Sequence, residues 1–391
     1  MLREMSACIY YSWDSSERRM PMNRGEWSEP YVALKLLGEQ KIYMANEHGN
    51  INLSEWMTVL RLVRQETKER QVSYTCRTDM GDVVIEVNKV PVAYVKATEF
   101  QNKAETLKND ILYGTGASFN VSKELMDFLP EIEMTSLKAK SDDKSDVFLD
   151  THDPRSGIDR ENIGFSIKSE MGKDPTLFNT SKASAVVYKV VGMSDELMKQ
   201  VNSLVDEKGH AAVSDRCDLM IQNGCTLQYQ GYEYAKRAKC QAFTENLDLI
   251  NPRLPEVIEW ILRNHFVKKN NDRNIIDIVN MLIDDNPCKL ISPQIKYLFM
   301  IKQFLYAAYC GMTAATLWNG SSRVKGGYIT VKKNGDVVAN YAMESDAFKN
   351  YLYEHCYMDY PSTDAGHGDY GKVYAKDGEY YFNLNFQIRI R

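Results

Sequence analysis

Two short segments, Asp146-Val-Phe-Leu-Asp150 and Gly164-Phe-Ser166-Ile-Lys168-Ser-Glu170, carry the residue types whose spacing could do chemistry. Side chains alternate faces along a β-strand, so Ser166, Lys168 and Glu170 point one way while Phe165 and Ile167 point into a core. Asp146, Asp150 and His152 share a face in the same manner if their strand is regular. Paired as a hairpin, the two strands can bring a carboxylate beside a lysine, the arrangement that phosphodiester hydrolysis requires. The carboxylate holds Mg²⁺, which takes oxygen ligands and offsets charge on the scissile phosphate. The lysine stabilises that charge and orients or deprotonates the attacking water. Spacing alone does not separate this chemistry from an ordinary two-stranded edge carrying a solvated Asp and Lys.

The elements around these segments read as follows. Positions 29–37 have the periodicity of an amphipathic helix, with Tyr31, Leu34 and Leu37 on one face and Gly38 as its stop, which puts Glu26 and Glu29 near its start. From about residue 57 to 95 the chain is β-like, with strands at 72–76 and 83–87 turning at Asp79-Met-Gly-Asp82. Helices are expected near 99–112 and 123–128, and a charged stretch, 138–144, leads into strands at 147–150 and 163–169. Pro252 and Pro255 precede three further helical patterns, near 256–268, 275–283 and 294–309, which suggests a boundary near residue 250. Beyond Gly326 the chain looks mainly β, with one hairpin turning at Asn334-Gly335 and a second at Asp377-Gly378 before a long strand over 380–390.

Composition narrows the function classes. A chain of 391 residues with 44% hydrophobic residues can bury a large core and fits two or three domains. The first five residues open no apolar leader, and the most hydrophobic helical stretch is interrupted by Lys302 and Gln303, so neither secretion nor membrane insertion is expected. Eight scattered cysteines without a CxxC pair read as reduced thiols in a cytoplasm. A net charge of −5 gives no global attraction to nucleic acid, so DNA contact would depend on local basic groups and bound cations. Gly114-Thr-Gly116 lacks the third glycine of a dinucleotide loop, and no phosphate loop, HExxH or GxSxG pattern occurs.

Four longer motifs go beyond spacing: Asn23-Arg-Gly-Glu26-Trp-Ser-Glu29-Pro-Tyr-Val-Ala-Leu-Lys-Leu-Leu37, Gly164-Phe-Ser-Ile-Lys168-Ser-Glu-Met-Gly172, Pro175-Thr-Leu-Phe-Asn179 and Asn383-Leu-Asn-Phe-Gln-Ile-Arg389. In this order they resemble the HpaII restriction endonuclease family over nearly the whole chain. The resemblance implies the PD-(D/E)xK nuclease fold, an α/β (α+β) architecture in which a central mixed β-sheet flanked by helices carries the site. Residues 1–250 would form the nuclease core, and 251–391 a helical and then β-hairpin part that reads DNA.

Carried over by the resemblance, Asp146 is the metal-binding aspartate, Lys168 the catalytic lysine and Glu29 the glutamate that this fold often places on its first helix. Glu26 is the second choice for that last role. Asp150 competes with Asp146, which is preferred because it opens the strand after Lys144-Ser145, where the family's motif places its acid. Ser166 departs from the pattern, since the fold usually has an acid two positions before the lysine. Some restriction enzymes that cut CCGG-containing sites are similar in having serine there, with a glutamate from elsewhere; here Glu29, Glu26 or Glu170 would replace the lost ligand.

The resemblance also implies Mg²⁺ as cofactor, double-stranded DNA with a short palindromic, CCGG-like site as substrate, a homodimer, a cognate DNA methyltransferase in the bacterial host, and a cytoplasmic location with no membrane partner. Along the last strand Asn383, Asn385, Gln387, Arg389 and Arg391 alternate with Leu384, Phe386, Ile388 and Ile390, which gives one apolar face and one face of groups that can read base edges. Asn179, closing its own motif, joins them as a DNA-contacting residue. A solvated sheet face is the plain alternative for that strand. A DNA-binding module that has lost catalysis at Ser166 and a structure-specific repair nuclease of the same fold are the alternatives for the chain.

Overall fold

The computed structural model describes residues 21–46, 48–67, 69–135, 145–172, 174–207, 209–267, 273–321, 326–341, 345–361, 363 and 370–391. The first five residues and the charged stretch 138–144 lie outside them. In chain order the strands begin β1 (Lys41–Ala45), β2 (Ile51–Thr67), β3 (Arg70–Arg77), β4 (Asp82–Val87), β5 (Val90–Lys96), β6 (Val147–Asp153), β7 (Ile158–Ser169) and β8 (Thr176–Phe178). They continue as β9 (Val186–Val191), β10 (Thr226–Tyr232), β11 (Gly327–Val331), β12 (Val337–Tyr341), β13 (Cys356–Asp359), β14 (Val373–Lys376), β15 (Glu379–Leu384) and β16 (Gln387–Ile390). The helices are α1 (Arg24–Glu39), α2 (Ala97–Tyr113), α3 (Lys123–Glu131), α4 (Asp195–Ser203) and α5 (Val213–Gln222). Next come α6 (Ala242–Ile250), α7 (Leu254–Val267), α8 (Ile275–Asp285), α9 (Pro293–Tyr309) and α10 (Ser345–His355).

The fold is mixed α/β around a central nine-stranded sheet ordered β1-β12-β11-β7-β6-β2-β3-β4-β5. The sheet is mixed because β12 lies parallel to β1 and β11 parallel to β7 while the other neighbours are antiparallel. Strands β6 and β7, with Val147 opposite Phe165, form the expected hairpin near its middle. The Asn334-Gly335 hairpin β11–β12 inserts between β7 and β1, so a C-terminal segment completes the sheet that positions Lys168.

One face of this sheet is closed by α1, α2 and α3. Trp27, Tyr31, Leu34 and Leu37 of α1 pack there with Phe100 and Leu107 of α2 against Phe165 and Ile329, and each such side chain contributes roughly 1.5–3 kcal/mol on burial. A second core runs from Phe178 onward through α5–α9 and two smaller sheets, β10-β9-β15-β14 and β13-β16-β8. The first core takes residues up to Met171 and then the β11–β12 residues Ile329, Val331, Val337 and Ala339. The two cores therefore part between Met171 and Phe178, with one hairpin returned to the first.

Three local expectations are corrected. Helix α1 starts five residues before position 29, because Asn23 and Glu26 form a capping box: the Asn23 side chain accepts from Glu26 N and the Glu26 carboxylate accepts from Asn23 N, both at 3.0 Å. Gly38 is not its stop but lies inside it; a Cβ there would sit 2.7 Å from the backbone N of Gln101, so glycine is what lets α1 and α2 approach. The region beyond Gly326, read as mainly β, contains α10, whose Asp346, Phe348, Asn350, Tyr351 and Tyr353 have weak helix propensity and which is held by packing of Phe348, Tyr351 and Leu352 into the second core.

The long strand expected over 380–390 breaks in two. Asn385, fully buried, accepts from Ser184 Oγ at 2.9 Å and from Phe386 N at 3.0 Å and donates to Ser181 O at 2.8 Å. Those bonds replace ladder pairing at that point, and β15 and β16 join different sheets.

Candidate active site

Asp146 immediately precedes β6 and sits opposite Ser166, because Val147 pairs with Phe165 and Asp146 N donates to Phe165 O at 2.8 Å. Its carboxylate Oδ2 accepts from Ser166 Oγ at 3.0 Å and from Ile167 N at 2.6 Å, which fixes its direction. Gly164 makes this possible: a Cβ there would lie 2.3 Å from Ser145 Oγ, so only a bare backbone lets the residue before Asp146 pack onto β7. Phe165 is in the core and Ile167 packs against it, so Ser166 and Lys168 face the opposite side together with Asp146, the alternation expected from the sequence.

Lys168 is half-buried and, among the described residues, has no hydrogen bond or ion pair. Burial lowers its pKa below the ordinary lysine value, and the Asp146 charge partly opposes that shift. The parallel strand β11 sets Tyr328 beside Ser166 and Thr330 beside Lys168 on the same face. Burial raises the Tyr328 pKa well above the usual phenol range, with the Asp146 charge a lesser contributor, so this hydroxyl stays protonated beside the carboxylate.

The structure separates the rival carboxylates. Asp150 accepts from Arg61 Nε and from the backbone N of Asn162, each at 2.7 Å, where Asn162 bulges β7 at φ +53°. It braces the bulge. Glu170 is buried and takes a 2.7 Å bond from Lys332 Nζ, which ties β7 to the end of β11. Glu26 is engaged in the capping box. Glu29 is half-buried, one residue after Ser28, whose hydroxyl meets Ser169 Oγ at 2.6 Å on the side of β7 that faces α1 and not on the side of Lys168.

The row of amides does not form one reading face. Asn383 is buried, donating to Glu233 at 2.9 Å, and Asn385 is committed as described above, so both are internal braces. Gln387 and Arg389 stay together on β16: Gln387 Nε2 donates to Asp359 Oδ2 at 2.7 Å and Arg389 Nε to the same oxygen at 2.5 Å. Arg391 stacks over Tyr357 at 4.5 Å, and Asn179 is exposed. Tyr328, Thr330 and Asp359 were not found in the sequence. Their nearness to Lys168 and Arg389 depends on strand order, for which a single sequence carries no signal.

Comparison with known proteins agrees with these motifs. The family model described as HpaII restriction endonuclease matches residues 23–390. A curated relative, the type II restriction enzyme HpaII of Haemophilus parainfluenzae, is 31% identical over 369 residues, which cover 94% of this chain and 98% of the relative. No solved structure matches.

Proposed function

Because the chain belongs to the HpaII restriction endonuclease family, we propose that it hydrolyses double-stranded DNA at a short palindromic, CCGG-like site with the help of Mg²⁺, within a PD-(D/E)xK type of core. The observation that carries this reading is the oriented Asp146 carboxylate on the same sheet face as a half-buried Lys168 that has no ion pair among the described residues. The donor set fits a hard cation that keeps its waters. Among the described residues no group of three or more His, Cys, Asp or Glu could hold a metal, but Mg²⁺ commonly needs only one or two carboxylates plus the substrate's phosphate.

Asp146 would hold the ion through the carboxylate that Ser166 and Ile167 aim, and Glu29, which the family resemblance implies as the first-helix glutamate, is the candidate second carboxylate. Bound there, Mg²⁺ would supply Lewis-acid neutralisation of the scissile phosphate. Lys168 places an ammonium in a site of low dielectric, where its attraction for a phosphate oxygen exceeds that in water. Its lowered pKa also makes it a better proton acceptor from a water than an ordinary lysine. Two copies related by a two-fold axis would match a palindrome and cut both strands. A DNA-binding protein without cleavage is the second reading, favoured by serine at position 166 in place of an acid.

The test is metal dependence on plasmid DNA. Mg²⁺ should support cutting, excess chelator should abolish it, and Ca²⁺ should support binding with little turnover, since it fits the same oxygens with looser coordination. Binding without cutting in Mg²⁺ would establish the second reading, and full activity in chelator would contradict the first. Among the glutamates, Glu29→Gln should lower the cleavage rate, whatever its effect on the urea unfolding midpoint. Glu170→Gln should instead lower that midpoint, because it leaves Lys332 without its buried partner, at a cost of about 1–3 kcal/mol. Unchanged cleavage in Glu29→Gln would remove Glu29 from the site.

A further inference from the structure

Arg389 is held from two sides. Its Nε–H is given to Asp359 Oδ2 at 2.5 Å and its Nη1 to the carbonyl of Asp174 at 2.7 Å. A guanidinium has five N–H donors in a rigid plane, so these two bonds fix the plane and leave the two N–H groups of Nη2 and one of Nη1, donors of the kind that meet guanine O6 and N7. The same Asp359 oxygen holds Gln387 Nε2, leaving that amide's oxygen as an acceptor matched to cytosine N4. Asp359 lies opposite Gln387 in the β13–β16 register, so one carboxylate orients both polar side chains of the strand's outer face. Arg273 approaches its other oxygen at 3.6 Å and stacks over Tyr360 at 4.5 Å, which sets a second positive charge beside Asp359.

Asp174 supplies the second hold, and it stands only six residues beyond Lys168 in the chain. Its carboxylate accepts from Tyr357 Oη at 3.0 Å, on the strand next to Arg389. The segment leaving the catalytic strand is therefore bonded directly to the arginine on β16.

We propose that Asp359 is the positioning residue for sequence recognition: it presents the free edge of Arg389 and the amide oxygen of Gln387 to a G·C pair. This rests on the reading of the chain as a site-specific nuclease. Without Asp359 the guanidinium would have to be ordered at the moment of binding, at the expense of discrimination and not of phosphate contact.

The experiment measures affinity in Ca²⁺ at one fixed salt concentration for two probes, a duplex with a central CCGG and the same duplex with one central G·C pair changed to A·T. Asp359→Asn keeps the shape and removes the charge. It should lose about tenfold of the ratio between the probes, while affinity for the altered duplex holds or rises and the melting temperature stays near that of the unaltered protein. Asp359→Glu, which restores the charge on a longer arm, should recover part of the ratio. Arg389→Ala should lose the ratio as well, and adding Asp359→Asn to it should cost less than Asp359→Asn costs alone, because only the part carried through Gln387 is left to lose. A ratio untouched by Arg389→Ala would overturn the base-reading role and the proposal with it. A ratio lost in Arg389→Ala but kept in Asp359→Asn, or an equal loss on both probes in Asp359→Asn, would overturn the positioning role alone.

Discussion

Lys168→Ala should lower the rate of DNA cleavage by on the order of 10²–10³-fold or more, which corresponds to at least about 3–4 kcal/mol of transition-state stabilisation. The side chain has no hydrogen bond or ion pair among the described residues, so its removal breaks no structural contact of that kind. Specific binding in Ca²⁺ should stay near normal. A companion variant separates function from fold. Lys168→Met fills the same space without an ammonium, and because burial lowers the lysine pKa, the charged form is held in the folded state at a cost. Between the lowered folded pKa and the ordinary lysine value the unfolded chain binds more protons, so stability of the unaltered protein should rise with pH across that window. Lys168→Met should lack that rise and show a higher unfolding midpoint at neutral pH, while cutting no DNA. Near-normal cleavage by either folded variant would remove Lys168 from the chemistry.

Asp146→Asn should be at least as damaging to cleavage and differ in its effect on binding. An amide oxygen can still accept from Ser166 Oγ and Ile167 N, so the end of β6 should keep its place. What would be lost is the charge proposed to hold the cation, worth several kcal/mol in the transition state and hence on the order of 10³-fold in rate. Ca²⁺ should no longer strengthen binding of the target duplex, whereas in Lys168→Ala it still should. Titration of the duplex with and without Ca²⁺ checks this directly, and a Ca²⁺ effect preserved in Asp146→Asn would mean that another carboxylate is the principal ligand. Asp150 would be the least suitable replacement, since Arg61 and the Asn162 backbone already occupy it.

The β6–β7 hairpin was legible because its signal is local. Alternation along residues 163–169 put Ser166 and Lys168 on one face before any partner was known, and the hydrogen-bonding of Asp146 to that same strand agrees with it. Gly38 shows the opposite case. As a helix stop it obeyed a local rule, yet its reason is a neighbour more than sixty residues away, Gln101. The C-terminal amides failed for a similar reason. Alternation over 383–391 is real, but Asn385 is a buried brace that ends one strand and begins another, and burial of a polar group depends on partners such as Ser181 and Ser184 that no strand pattern reveals. The insertion of β11–β12 beside β7, which brings Tyr328 and Thr330 to the site, is a matter of strand order and was likewise beyond a pattern read along the chain.

The central claim, cleavage of duplex DNA at one short sequence, is tested most directly by incubating the protein with a large unmethylated DNA and Mg²⁺ and sequencing the fragment ends. Every end should fall at one short palindrome of the CCGG type, with the same ends recovered from DNA of any source. Ends scattered without a common sequence, or DNA left intact by folded protein that binds it, would contradict the claim.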